Sequence, residues 1–345
     1  MKTIRNYNIY IFISTFTRNI IDVYSVIYLY ELGFSLNNLI AIYTIIYFLG
    51  YFISTLSIRL GNKIGYKYIL IFSSIITSVT FYIIHNITNI YLISLSLSLS
   101  MFTYHPIRHY YGIKLLRRKS EIGNTLIYIY IATLISSYMA IKNIALKYLI
   151  IIAIVSIIPP LFITKNKCEP IEYHKLDHNK LKFFYFDQFR IIFNLLEPLY
   201  LYMISKTISY VGIFNIILTL SSVICLYLLT RWIDIRKYYK YINLLFVIVL
   251  IGKLNIYHQT LLLIIAFLEG IGIKTNELVS MMNLYESKQI DAGYIITSEK
   301  IFCLTRATIL SIIYFLSFNI KISLYILMVG IFILGFMYSE KKRNS

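Results

Sequence analysis

Apolar runs of about 17–25 residues succeed one another from the first residues to the last, and each is the length a helix needs to cross the hydrocarbon layer of a bilayer. Backbone groups in lipid must be satisfied internally, which leaves helices or a closed barrel. Ile93 to Ser100 (ISLSLSLS) alternates as a barrel strand would, but its neighbours do not, and the runs exceed strand length. The sequence therefore predicts an all-α polytopic membrane protein of about twelve transmembrane helices. The spans run roughly 8–30, 36–58, 68–86, 90–108, 122–141, 144–164, 183–206, 210–230, 241–257, 260–284, 293–318 and 321–339. With 59% hydrophobic and 14% charged residues, the chain has too little polar surface to cover a soluble domain, and no loop can hold a catalytic one. Met1 to Phe16 resembles a signal peptide but runs on into Arg18 and Asp22 with no small-residue cleavage site, so it is expected to be the first retained span.

The net charge of +18 suggests nucleic acid until it is placed. With the amino terminus inside, 23 of the 33 Lys and Arg residues fall on cytoplasmic segments. Five (Lys142, Lys147, Lys206, Lys253, Lys321) go to outer segments and five (Arg18, Arg190, Lys274, Lys300, Arg306) lie within spans. This is the positive-inside pattern. Membrane lipid rather than nucleic acid is the expected partner, and both termini are expected on the cytoplasmic side of a plasma membrane. Cys168, Cys225 and Cys303 have no paired spacing, so no disulfide, metal site or cofactor is expected. Nor is a second copy of the chain; a monomer is expected. The 34 tyrosines are mostly lipid-facing, packing or interface residues.

The longest polar stretch, Lys165 to Lys182, divides two six-helix halves, 1–164 and 183–345. Its Cys168, His174 and His178 match no strong metal spacing, and 165–182 is taken as a cytoplasmic linker. At an offset of 172 positions the second half repeats the first. Arg18 meets Arg190, Asp22 meets Asn194, Tyr28-Leu29-Tyr30 meets Tyr200-Leu201-Tyr202, Arg59 meets Arg231 and Asn62 meets Asp234. No gap is needed across two spans and their loop.

Ile58 to Lys67 (IRLGNKIGYK) resembles GxLaDRxGRK, the signature loop of the major facilitator superfamily. Asn62 stands where the family has Asp, Lys63 where it has Arg, Gly65 on its second Gly and Lys67 on its last basic residue. The second copy, Thr230 to Lys240, keeps Asp234 but lacks the glycine. The resemblance implies two pseudo-symmetric six-helix bundles. It implies as well a conformational latch made by Arg59, Asn62, Lys63, Gly65, Lys67, Arg231, Asp234 and Arg236, and a substrate path lined by spans 1, 4, 7 and 10. The alternative reading of the latch residues is that they are positive-inside anchors alone.

Ionisable groups within spans cost about 2.5–3.5 kcal/mol each on insertion scales, so each invites a reason. The first span carries Thr15, Arg18, Asp22 and Ser25 at 3-4-3 spacing, and the seventh repeats it with Asp187, Arg190, Asn194 and Glu197. The tenth adds Glu269, Asn276 and Ser280, with Gly270 and Gly272 permitting close approach. The fourth ends in Tyr104-His105-Pro106-Ile107-Arg108-His109, where Pro106 can open the backbone. Arg18 and Arg190 admit two readings. They bind an anionic substrate, as one arginine on each of these helices does in the similar organophosphate exchangers, or they pair with Asp22 and Asp187 to hold helices together. Glu197 and Glu269 have no base at i±4, and a desolvated carboxyl takes up a proton readily, so either can carry a coupling proton. Glu269 can instead pair with Lys274. Glu299 and Arg306 are expected to form a structural pair.

These residues predict alternating-access transport of a small solute coupled to protons, with a multidrug or cation exporter as the alternative within the same fold. A membrane transferase built on His105 and His109 or on Glu269 is the enzymatic rival. It lacks a third ligand and a large interfacial loop, so the chain is expected not to be an enzyme. A non-transporting receptor or assembly factor of the same fold is the other rival.

Overall fold

The computed structural model describes residues 2–115, 119–142, 147–155, 157–161, 178–232, 235–285, 292–316 and 319–341. The regular structure among them is helical. The first span comprises α1 (Lys2–Asn19), a π-helical turn (Ile20–Tyr24) and α2 (Ser25–Glu31). There follow α3 (Leu36–Ile64), α4 (Tyr66–Asn86), α5 (Ile90–Leu115), α6 (Lys119–Ile141), α7 (Lys147–Val155) and α8 (Ile158–Leu161). The second half supplies α9 (His178–Ser205), α10 (Ile208–Trp232), α11 (Ile235–Asn255), α12 (Gln259–Tyr285), α13 (Ala292–Leu316) and α14 (Ile320–Lys341). Pro106, which can open the backbone, lies inside its helix without ending it: α5 continues through it to Leu115. The central part of the 165–182 linker, Cys168 and His174 included, lies outside the described residues.

In α4 the exposed face is apolar and the buried face carries small hydroxyl residues: Phe72, Ile75, Val79 and Tyr82 are exposed, while Ser73, Ser74, Thr77, Ser78 and Thr80 are buried. Lipid rewards the first set. The second can be buried because small hydroxyls find carbonyl acceptors on their own helix: Thr77 Oγ1 donates to Ser73 O at 2.8 Å and Ser78 Oγ to Ser74 O at 3.1 Å. Thr80 Oγ1 reaches across to Ser96 O on α5 at 3.0 Å, so the serine run that mimics a strand in sequence is a helix–helix seam. Among the described residues, Leu36–Ile64, Tyr66–Asn86, Ile90–Arg108 and Ile208–Cys225 are long and apolar enough to cross a membrane. The chain is an integral, multi-pass membrane protein.

Contacts divide it into two compact units. One comprises Met1–Ser136, Ile144–Leu176 and Gln289–Tyr314; the other Ser137–Asn143, Asp177–Lys288 and Phe315–Ser345. In the first, α3 and α4 pack on α5, and α4 on α7; in the second, α10 and α11 pack on α12, and α11 on α14. From α3 and α10 onward, helix starts recur at offsets from 169 (235 − 66) to 173 (320 − 147), so element order and neighbours repeat together.

Glycine sets the closest approaches. A Cβ on Gly270 would lie 1.9 Å from Ser221 Oγ and 2.4 Å from the Leu218 carbonyl oxygen of α10, whereas at Gly252 it would meet nothing within 4 Å. Gly270→Ala is therefore expected to destabilise by about 1–3 kcal/mol through forced separation of α10 and α12. Gly252→Ala serves as the unaffected control in the same detergent melting experiment.

Candidate functional site

A buried guanidinium ties three helices of the first unit. Arg18, 5% exposed near the end of α1, donates from Nη1 to Ser100 O at 2.7 Å and from Nη2 to Ser73 Oγ at 2.8 Å and Thr77 Oγ1 at 3.3 Å. Its Cζ lies 3.8 Å from the centre of the Tyr104 ring. Arginine stays charged in proteins, and its planar fork can reach several acceptors while stacking on an aromatic face. These partners lie on α4 and α5, so the side chain braces three helices. The Asp22 side chain lies outside the described residues. The π turn over Ile20–Tyr24 inserts a wider turn between Arg18 and Ser25, so the even 3-4-3 stripe expected of the first span is interrupted. Ser25 is buried and its Oγ is 3.1 Å from Tyr43 Oη. His105 is half-buried beside the brace, its ring 5.3 Å from that of Tyr104. The pairing anticipated between Arg306 and Glu299 is present at 3.0 Å.

The second unit holds a cluster that the sequence reading misses. Lys253, in the last turn of α11, has no exposed surface. Its Nζ donates to Glu269 Oε1 at 2.8 Å and Oε2 at 2.7 Å and forms an ion pair with Glu197. Phe193 and Phe214 present their ring centres 5.2 Å from the same nitrogen. Glu269 is 0% exposed and Glu197 5%. One ammonium thus joins α9, α11 and α12, with α10 closing the pocket through Phe214. This corrects the assignment of Lys253 to an outer segment: its long aliphatic stem carries the charge inward. It also supplies the partner of Glu269, which sequence alone sought in Lys274. The signal was available, since Lys253 falls inside the span expected at 241–257 and two acids without in-helix bases call for a cation from elsewhere.

The two centres occupy corresponding places. Ser100 is the eleventh residue of α5 and Glu269 the eleventh of α12. Tyr28 and Tyr200, matched at offset 172, make corresponding contacts: Tyr28 Oη lies 2.9 Å from His85 Nδ1 of α4, and Tyr200 Oη donates to Leu254 O of α11 at 3.2 Å. Each unit therefore ties its first, third and fourth helices with one buried cation, drawn from α1 in one unit and from α11 in the other.

Arg190 forks onto Asp187 of its own helix, Nε to Oδ1 at 2.7 Å and Nη2 to Oδ2 at 3.1 Å. Asn194 is half-buried, with an Oδ1 that is shielded and has no hydrogen-bond partner. Asn276 is engaged: its Oδ1 accepts from Tyr239 Oη at 2.6 Å and its Nδ2 donates to Gly272 O at 2.9 Å. The side chains of Ser280 and His109 lie outside the described residues.

Of the expected latch, Gly65 is the sole residue between α3 and α4 and has φ +100°, a conformation that favours glycine. Tyr66 Oη donates to Asn62 Oδ1, and Lys67 Nζ donates to Leu161 O of α8 at 2.5 Å. Arg59, Asn62 and Lys63 are exposed. Asp234 and the side chains of Arg231 and Arg236 lie outside the described residues. Among the described residues no group of three or more His, Cys, Asp or Glu could hold a metal ion.

No family model matches the sequence, and no curated protein does. Solved structures do match in fold. The chain is similar to the nucleoside transporter NupG, with a TM-score of 0.66 and 14% identity over 99% of each chain. It is similar also to a bacterial metal transporter, at TM-score 0.65 and 12% identity over 99% of this chain and 98% of that one. A third is a bacterial homologue of the iron transporter ferroportin in its outward-facing state, at 0.65 and 12% over 99% of each. At such identities the likeness is one of fold: this is an all-α, multi-pass membrane fold found in transporters, and none of the three is an enzyme.

Proposed function

We propose that the chain is a secondary active transporter of the major facilitator type, moving a small solute by alternating access and coupled to protons through Glu197, Lys253 and Glu269. In this reading two six-helix bundles, 1–164 and 183–345, joined by the linker 165–182, exchange inward- and outward-open states. Both termini are cytoplasmic, the membrane is the plasma membrane, and one copy of the chain suffices. The latch residues between the second and third helices of each half bias the two states.

One observation carries the coupling assignment. Two carboxyls and one ammonium, all but removed from solvent, join three helices of one unit. With all three ionised the cluster holds a net charge of −1, and an uncompensated charge in a membrane interior is costly. One proton brings it to neutrality. Loading the cluster therefore changes what holds α9, α11 and α12 together. A carboxyl can take up and release a proton whereas a guanidinium stays charged, so the acid pair rather than the arginines is assigned the coupling role. This favours cationic over anionic cargo.

Reconstituted in proteoliposomes, the wild-type chain is expected to move solute in response to an imposed pH gradient. Glu269→Gln and Glu197→Gln are expected to lose at least tenfold of that driven flux while retaining the wild-type melting behaviour more closely than a charge deletion at Lys253. Normal pH-driven flux in both variants would remove the coupling role. Absence of flux for every solute tried, with the protein folded, would favour the receptor or assembly-factor rival.

A further inference from the structure

The pocket around the Lys253 nitrogen is built as a receptor, and the lysine fills it. Its walls are the carboxylates of Glu197 and Glu269 and the faces of Phe193 and Phe214, each ring centre 5.2 Å from Nζ. Carboxylates satisfy the N–H donors of an ammonium, and aromatic faces attract its charge without competing for hydrogen bonds. A hard divalent cation would instead need six or more oxygen ligands, and ring faces offer none. We propose that Glu197, Glu269, Phe193 and Phe214 form a binding cage for a primary ammonium group, with the Lys253 side chain as its resident, tethered occupant.

The inference rests on the reading of this cluster as the coupling centre and adds to it a substrate class: solutes that carry a primary amine. A tethered ammonium competes at a high effective concentration. A dissolved amine with no other contacts therefore cannot displace Lys253, and a true substrate must bring further contacts. Asn194, one turn before Glu197 on α9, offers one, because its Oδ1 is shielded from solvent and has no hydrogen-bond partner. When the substrate amine enters the cage, the Lys253 ammonium leaves it. The exchange of one cation for another keeps the cluster's charge constant, while the tie between α11 and the two acid-bearing helices is released.

The test uses the purified full-length chain in detergent, with methylammonium chloride as the probe and sodium, potassium and tetramethylammonium chlorides at matched ionic strength as comparisons. Lys253→Ala empties the cage, and Lys253→Met does so while keeping most of the aliphatic stem, in case the alanine variant fails to fold. At saturating methylammonium the melting temperature of either variant is expected to rise by about 3 °C or more. The other cations should give less than a third of that rise, and the wild type should not respond. Adding Glu269→Gln to either variant should abolish the response. Two variants that ignore methylammonium, or that respond equally to sodium and potassium, would overturn the cage. That outcome, alongside intact pH-driven flux in the wild type, would leave the transporter reading standing. A methylammonium response with no pH-driven flux would do the reverse.

Discussion

Lys253→Ala is expected to destabilise the folded chain by about 3–5 kcal/mol, because it leaves two buried carboxylates without their cation. Few substitutions in this molecule should cost as much. The nitrogen that is lost serves both oxygens of Glu269 and the carboxylate of Glu197, and none of the three residues is more than 5% exposed. The companion experiment separates loss of a contact from loss of charge balance. Replacing the whole cluster by neutral groups of similar size, Lys253→Met with Glu197→Gln and Glu269→Gln, is expected to return most of the stability, since a buried ionic cluster removed entire costs far less than one broken by half. Detergent melting of the single and triple variants reads both. A triple variant as unstable as Lys253→Ala would mean that packing, not charge, accounts for the loss.

Arg18→Ala is the second large effect, expected at about 3 kcal/mol or more. The guanidinium satisfies the Ser100 carbonyl and the hydroxyls of Ser73 and Thr77 and covers the Tyr104 ring, so its removal takes apart the joint of α1, α4 and α5 at once. Arg18→Lys should recover less than half of the loss, because a point ammonium cannot reproduce a planar fork that reaches two helices. Whatever protein folds should keep the pH dependence of its flux, since the coupling is assigned to the acid cluster of the second unit. That behaviour distinguishes a brace from a coupling group. If Arg18→Lys folds normally but its flux no longer follows the pH gradient, Arg18 belongs to the coupling machinery.

What the sequence revealed and what it concealed have separate physical causes. Helical spans are legible because lipid imposes a length and an apolar composition on each of them, and α3, α4 and α10 show it plainly. Side-chain partners obey a different logic. Helical spacing finds neighbours on one helix, and it located Arg190 with Asp187 and Arg306 with Glu299. It could not find the partners of Arg18, which lie 55 to 82 residues away, nor bring Lys253 to Glu197 and Glu269. The repeat at offset 172 carried more than it first showed. Tyr28 and Tyr200 are matched by sequence, and each reaches the third helix of its own half. At the offset of 169 between the starts of α5 and α12, Ser100 falls opposite Glu269, yet the cation that meets them comes from α1 in one half and α11 in the other. No alignment of the halves could have announced that exchange, because the charge moves between helices while the joint it serves is retained.

The most direct measurement is an infrared difference spectrum of the purified chain taken across an alkaline-to-acid titration, comparing wild type with Glu197→Gln, Glu269→Gln and the double variant. The wild type is expected to gain the carbonyl stretch of one buried protonated carboxyl per chain, shifted or absent in the single variants and gone in the double. A wild-type spectrum in which no buried carboxyl takes up a proton, or a band that persists unchanged when both glutamates are glutamine, would contradict the coupling role of the acid pair.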